Sequence, residues 1–134
     1  MIEKFFEHYA HAFLSFEAEA INEFYAFPAI LYSEEGDAIV FSQDDFIANS
    51  RHLLQKYKSI GVGKINFQIL EESTISQSLK LVNVMWHFQK PDGTSIYSAQ
   101  TNYVVKQDSD SYKIVSVIMV NEATVFSETL GEPL

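Results

Sequence analysis

His87 and Tyr97 are the residues of this 134-residue chain whose spacing best suits shared chemistry. They flank the turn Lys-Pro-Asp-Gly-Thr at residues 90–94. A type I turn with Gly93 as its bulge residue sets Lys90 across from Thr94. Unbroken alternation then brings Trp86 opposite Ser98 and His87 opposite Tyr97. An imidazole beside a phenol could act as a general acid or base with an oxyanion donor. The plainer reading, a satisfied polar residue near a strand end, is preferred, because a single histidine is a weak signal. His8 and His11 share a helical face at a metal-ligand spacing, but no third ligand joins them, so neither metal nor cofactor is expected. Asp37 follows Gly36 and reads as a turn residue; Asp44 reads as a helix N-terminal acid. Glu34-Glu35 and Asp108-Ser109-Asp110 read as solvated loops, with too few oxygen ligands for calcium.

These residues need elements to position them. The stretch from Leu79 to Val120 holds three apolar runs of about ten residues joined by turns rich in Pro, Asp, Gly and Ser, the pattern of a long-stranded antiparallel meander. Upstream, Ile2, Phe5, Phe6, Tyr9, Phe13 and Phe16 recur at helical spacing and predict an amphipathic helix with an aromatic face. A second short helix is predicted from about Phe16 to Tyr25, ending before Pro28. Residues 29–41 read as a hairpin about Gly36-Asp37. Ser42 with Asp45 opens a helix that carries Phe46, Ile47, Leu53, Leu54 and Tyr57 and stops near Gly61. Ile65, Phe67 and Ile69 alternate with polar residues in a further strand. The tail after Val120 is mostly polar, with only Val125, Phe126 and Leu130 to dock it. Helices come first and the sheet last, so the class is α+β, in one domain over residues 1–134.

Composition narrows the function. There is no cysteine, which excludes disulfides, thiolate nucleophiles and cysteine-held zinc and suits a reducing compartment. Net charge is −9, from 18 acidic residues against 9 lysines and arginines, which disfavours nucleic acid and anionic membranes as partners. The N-terminus is a poor signal peptide and no apolar run reaches membrane-span length, so a cytoplasmic location is expected.

The helix pair, the segment FYAFPAIL, the helix opened by SQDDF, and the triplet VMWHFQKPDG, TNYVVKQDSDS, YKIVSVI together resemble the nuclear transport factor two-like superfamily, which includes SnoaL-like polyketide cyclases and ketosteroid isomerase-like proteins. The resemblance spans nearly the whole chain. It implies a cystatin-like cone, with N-terminal helices packed on a curved, mostly antiparallel sheet around an internal pocket. It also implies dimers through the outer sheet face. Asp37 or Asp44, near the cone's mouth, could then be a base of the ketosteroid isomerase kind. The family's acidic pair on the late strands has no counterpart, because Thr101 and its neighbours include no carboxylate. Fold-level likeness says little about activity.

Both faces of the meander are too apolar for water. One set holds Val82, Val84, Trp86, Phe88, Ile96, Ser98, Tyr112, Ile114 and Ile118. The other holds Asn83, Met85, His87, Tyr97, Ala99, Thr101, Tyr103, Val117 and Met119. The second mixes apolar walls with convergent polar groups, and Ala99 leaves space, so it is assigned to the concave side as a pocket completed by Tyr9 and Tyr57. The first, with Trp86 as anchor, is assigned to a homodimer surface. The expected function is a small-molecule-binding domain with an unidentified ligand; the alternative is a SnoaL-like or ketosteroid isomerase-like isomerase, cyclase or dehydratase acting on an apolar substrate.

Overall fold

The computed structural model describes residues 2–134, and its frame is a six-stranded sheet in the order β2-β1-β6-β5-β4-β3. α1 (Ile2–Leu14) is followed by α2 (Ala18–Asn22), the hairpin β1 (Tyr25–Tyr32) and β2 (Ala38–Phe41), and α3 (Gln43–Ser59). Then come β3 (Lys64–Thr74), β4 (Leu79–Gln89), β5 (Ser95–Asp108), β6 (Ser111–Met119) and α4 (Glu122–Leu130). β3 to β6 form the predicted antiparallel meander; β1 joins it by pairing parallel to β6.

Local chemistry sets the helix limits. α1 buries Ile2, Phe6, Tyr9 and Ala10, one stripe at helical period. Phe6 has no exposed surface and packs on Trp86 and Tyr103, with ring centroids 6.2 and 5.2 Å apart. Ser42 caps α3 by accepting from the Asp45 backbone N–H at 3.2 Å. Past its end, Gly61 takes a φ of 84°, where a side chain would be strained. α2 spans only five residues, shorter than predicted, because β1 already begins at Tyr25.

The sheet faces differ from the expected assignment, and two bulges are the reason. Lys90 N–H does donate to the Thr94 carbonyl at 2.8 Å, and Gln89 does pair with Ser95. The next pair is Phe88 with Tyr97, so Ile96 is an extra residue. That single insertion puts Trp86 opposite Ala99 and His87 opposite Ser98. Val82, Val84, Trp86 and Phe88 therefore share the buried face with Tyr97, Ala99, Thr101 and Tyr103. A second shift, between Val104 and Val105, leaves Val115 as the extra residue of β6. Tyr112 then turns inward against Phe5, and Ile114 is fully buried. Trp86 is thus a core residue rather than a surface anchor: it packs against Phe6, Tyr9, Phe67 and Tyr103.

The tail also holds more structure than its polarity suggests. α4 runs between Asn121 and Gly131, whose φ of 71° closes the helix in the left-handed region. The Asn121 side chain accepts from the Gln100 backbone N–H at 2.8 Å instead of capping α4, which pins the helix start to β5. Phe126 is completely buried, edge-on to Tyr97 at 5.5 Å.

Candidate functional site

The space between the helices and the concave face of the sheet is not fully packed. It holds a cavity of about 250 Å³. α1 contributes Tyr9 and Phe13; the hairpin contributes Tyr25, Leu31, Ile39 and Phe41; α3 contributes Phe46, Ser50, Leu53 and Tyr57. The sheet floor is Trp86, Phe88, Thr101, Tyr103, Val117 and Met119, and α4 adds Glu122. Asn49, His52 and Leu134 also reach it. Apolar walls with few polar groups are what ligand cavities have in common.

Two sets of hydroxyls surround this space. In the first, Tyr9 and Tyr25 share a hydrogen bond of 2.6 Å, and Trp86 Nε1–H donates to the Tyr103 hydroxyl at 3.0 Å. Burial is the main reason the Tyr9, Tyr25 and Tyr103 phenols are all shifted upward, so each stays neutral. In the second, the Tyr57 hydroxyl donates to Glu122 Oε2 at 2.5 Å and the Tyr97 hydroxyl donates to the same oxygen at 2.8 Å. Burial, and next the negative charge of Glu122, push both phenols up.

Among the described residues Glu122 is the one acidic side chain in the cavity wall. Desolvation raises its pKa; the two phenol bonds oppose that rise, and Glu34 adds to it. Among the described residues the ion pairs are Arg51–Glu19, Lys56–Glu132 and Lys80–Glu72, so no cation meets Glu122. A carboxyl so placed can accept a hydrogen bond, pair with a cation or exchange a proton. The sequence reading missed it because Glu122 belongs to a tail that looked like solvated coil. The Asn121 and Gly131 bracket was the available signal, since it marks a helix whose first residue is an acid.

The predicted pocket residues fall into two groups. Tyr9, Tyr57, Thr101, Tyr103, Val117 and Met119 line the cavity, and Tyr97 reaches it through Glu122. Asn83, Met85 and His87 lie on the opposite, convex face. There Asn83 Oδ1 accepts from Gln100 Nε2 at 3.0 Å, and His87 Nδ1 sits 2.7 Å from Ser98 Oγ. The proposed His87–Tyr97 pair therefore does not exist; the Ile96 bulge separates them across the sheet. Ala99 is buried directly across from Trp86 and does not border the cavity, so Ala99→Phe would overpack the core rather than fill space. Asp37 and Asp44 are exposed, the first in the hairpin turn and the second in the first turn of α3. Among the described residues no three potential ligands cluster for a metal, His8 and His11 included. No described helix is long and apolar enough to cross a membrane.

Helices set in the concavity of a curved, mostly antiparallel six-stranded sheet define a cystatin-like α+β fold. A family profile described as NTF2-like protein (DUF6841) matches residues 1–122, and the chain belongs to that family. Among solved structures it is similar to an NTF-2 like protein of unknown function from Shewanella oneidensis MR-1, at 17% identity and a TM-score of 0.68, covering 87% of this chain and 93% of that one. A domain of unknown function with a cystatin-like fold from Nostoc punctiforme PCC 73102 matches at 15% identity and a TM-score of 0.67, covering 96% of this chain and 80% of that one. A ketosteroid isomerase-like protein from Erwinia carotovora atroseptica SCRI1043 matches at 17% identity and a TM-score of 0.62, covering 87% and 90%. No curated protein matches the sequence. Likeness at this level of identity concerns the fold alone.

Proposed function

We propose that this protein is a small-molecule-binding domain whose ligand occupies the cavity between the helices and the concave sheet face. The observation that carries this reading is a cavity of about 250 Å³ with apolar walls and a carboxyl, Glu122, fixed among them by two phenols. A packed core would exclude such a group, because even a half-buried charge left unpaired is costly. Trp86 is the single tryptophan and lies in the cavity wall, so its fluorescence reports occupancy. Titration with benzyl alcohol should give a saturable change in Trp86 emission. Val117→Phe, which fills the cavity, should remove that change while the far-ultraviolet circular dichroism stays native. A Trp86 signal that saturates with neither benzyl alcohol nor benzylamine would overturn the reading.

Glu122 also favours a second reading, an enzyme of the isomerase, cyclase or dehydratase kind. The carboxyl is held at one oxygen and its pKa is raised, which suits proton exchange with a bound apolar substrate. If so, the protein should speed deuterium uptake at the α-carbon of a small cyclic ketone in heavy water, and Glu122→Gln should abolish that increase. Equal rates in both would remove the enzymatic reading and leave binding intact.

The partner is proposed to be a second copy of the chain, meeting the convex sheet face. The helices cover only the concave side, and the other face presents Leu81, Met85, Ile96 and Ile118 among amides and hydroxyls. Sedimentation should give about twice the chain mass, and Met85→Glu should halve it. Weak retention on heparin at physiological salt would accord with the −9 charge.

A further inference from the structure

We propose that the cavity takes a protonated organic amine, an apolar body carrying one ammonium group that pairs with Glu122. This rests on the cavity being a binding site. Three observations carry it. Oε2 of Glu122 takes both phenol hydroxyls, while Oε1 receives no donor from any described residue. Nor is Oε1 sealed in the wall: among the described residues the only fully buried side-chain oxygen or nitrogen without a partner is Asn22 Oδ1. Oε1 therefore keeps accessible surface on a residue of the cavity wall, within reach of a ligand.

The second observation is the missing counter-charge. Every described lysine or arginine ion pair involves a different acid, and the one basic side chain at the cavity, His52, is on an exposed part of α3. A neutral hydroxyl could give Oε1 a hydrogen bond but would leave the charge unbalanced beside mostly apolar walls. An ammonium supplies both the donor and the charge.

The third is the wall beside Glu122. Tyr57 donates to the carboxyl and stands in a run of rings, 6.0 Å from Phe13 and 5.0 Å from Phe88 by centroid. Aromatic faces accommodate a cation that aliphatic walls would not. The net charge of −9 also raises the local concentration of cations.

The test compares benzylamine with benzyl alcohol at neutral pH, read by Trp86 emission. Benzylamine should bind about tenfold more tightly, a ratio that one charge-assisted bond can supply. Glu122→Gln should erase that preference, and Glu122→Asp should retain part of it. Equal binding of the two in the unaltered protein overturns the amine assignment while leaving the binding domain in place, and that comparison decides even if the glutamine variant does not fold. A preference that survives Glu122→Gln also overturns it, since the surface acids would then be the cause. Binding of neither compound overturns the amine assignment together with the binding reading on which it rests.

Discussion

The two hydroxyl sets around the cavity are built from the same parts and do different things. Tyr9, Tyr25, Tyr103 and Trp86 pair donor with acceptor inside the protein and carry no charge. Tyr57 and Tyr97 instead direct two donors at one carboxyl oxygen and leave its partner oxygen unbonded. Burial raises the pKa of every phenol in both sets, but only the second contains a carboxyl, that of Glu122, and burial raises its pKa as well. The first set therefore holds no charge that calls for a ligand, and its role is to hold the wall together. The second is complete only as a protonated acid or with a partner from outside.

The sharpest way to break this contrast is to attack the neutral set at its largest member. Trp86→Ala removes a buried indole at the centre of the aromatic core and strands the Tyr103 hydroxyl. Truncations of this kind cost about 3–5 kcal/mol, so urea denaturation should show a larger loss for Trp86→Ala than for any single-hydroxyl deletion around the cavity. A loss below about 1 kcal/mol would return Trp86 to a surface role. Tyr9→Phe is the gentler test. It deletes one hydroxyl and leaves that of Tyr25 without its 2.6 Å partner, at a cost of about 1–3 kcal/mol.

The charged set should respond to pH where the neutral set does not. The folded-state pKa of Glu122 lies above its ordinary value of 4.5. As pH rises from that value, the unfolded chain loses this proton first, so the folded state binds more protons and loses relative stability. The decline continues until pH passes the raised folded value and is level beyond it. The stability of the unaltered protein relative to Glu122→Gln should therefore fall across that window. Tyr57 and Tyr97 stay protonated throughout, because their own pKa values are raised. A difference that grows with pH would mean that the phenols outweigh desolvation.

The same contrast explains what the sequence could show. Element order and the meander were legible because long alternating runs and Gly-containing turns are local signals, as at residues 90–94 and at Gly36. The neutral set was half legible: Tyr9 and Tyr103 lay in strong periodic patterns, but Trp86 was placed on the wrong face. Nothing in SIYSAQ announces that Ile96 is skipped, since a bulge is decided by pairing with the neighbouring strand. Tyr57 and Tyr97 were likewise visible as candidates, but their common partner was not. Glu122 follows Tyr97 by 25 residues, and its position depends on how α4 docks.

The smallest expected effect belongs to His87, which the fold sets apart from the cavity. His87 lies on the convex face, with Nδ1 2.7 Å from Ser98 Oγ and Nε2 3.4 Å from Gln68 Oε1. The second contact is long for a hydrogen bond, and both partners can turn to water once the ring is gone. His87→Ala should thus change stability by no more than about 0.5 kcal/mol, as surface substitutions generally do. It should leave the affinity of the cavity for benzylamine unchanged, because the imidazole lies on the convex face and Glu122 in the wall of the concave one. If two chains meet at this face, sedimentation rather than ligand binding is the property His87→Ala alters. A weaker amine affinity with the mass of the assembly unchanged would show that the two faces of the sheet communicate, and would return His87 to the site.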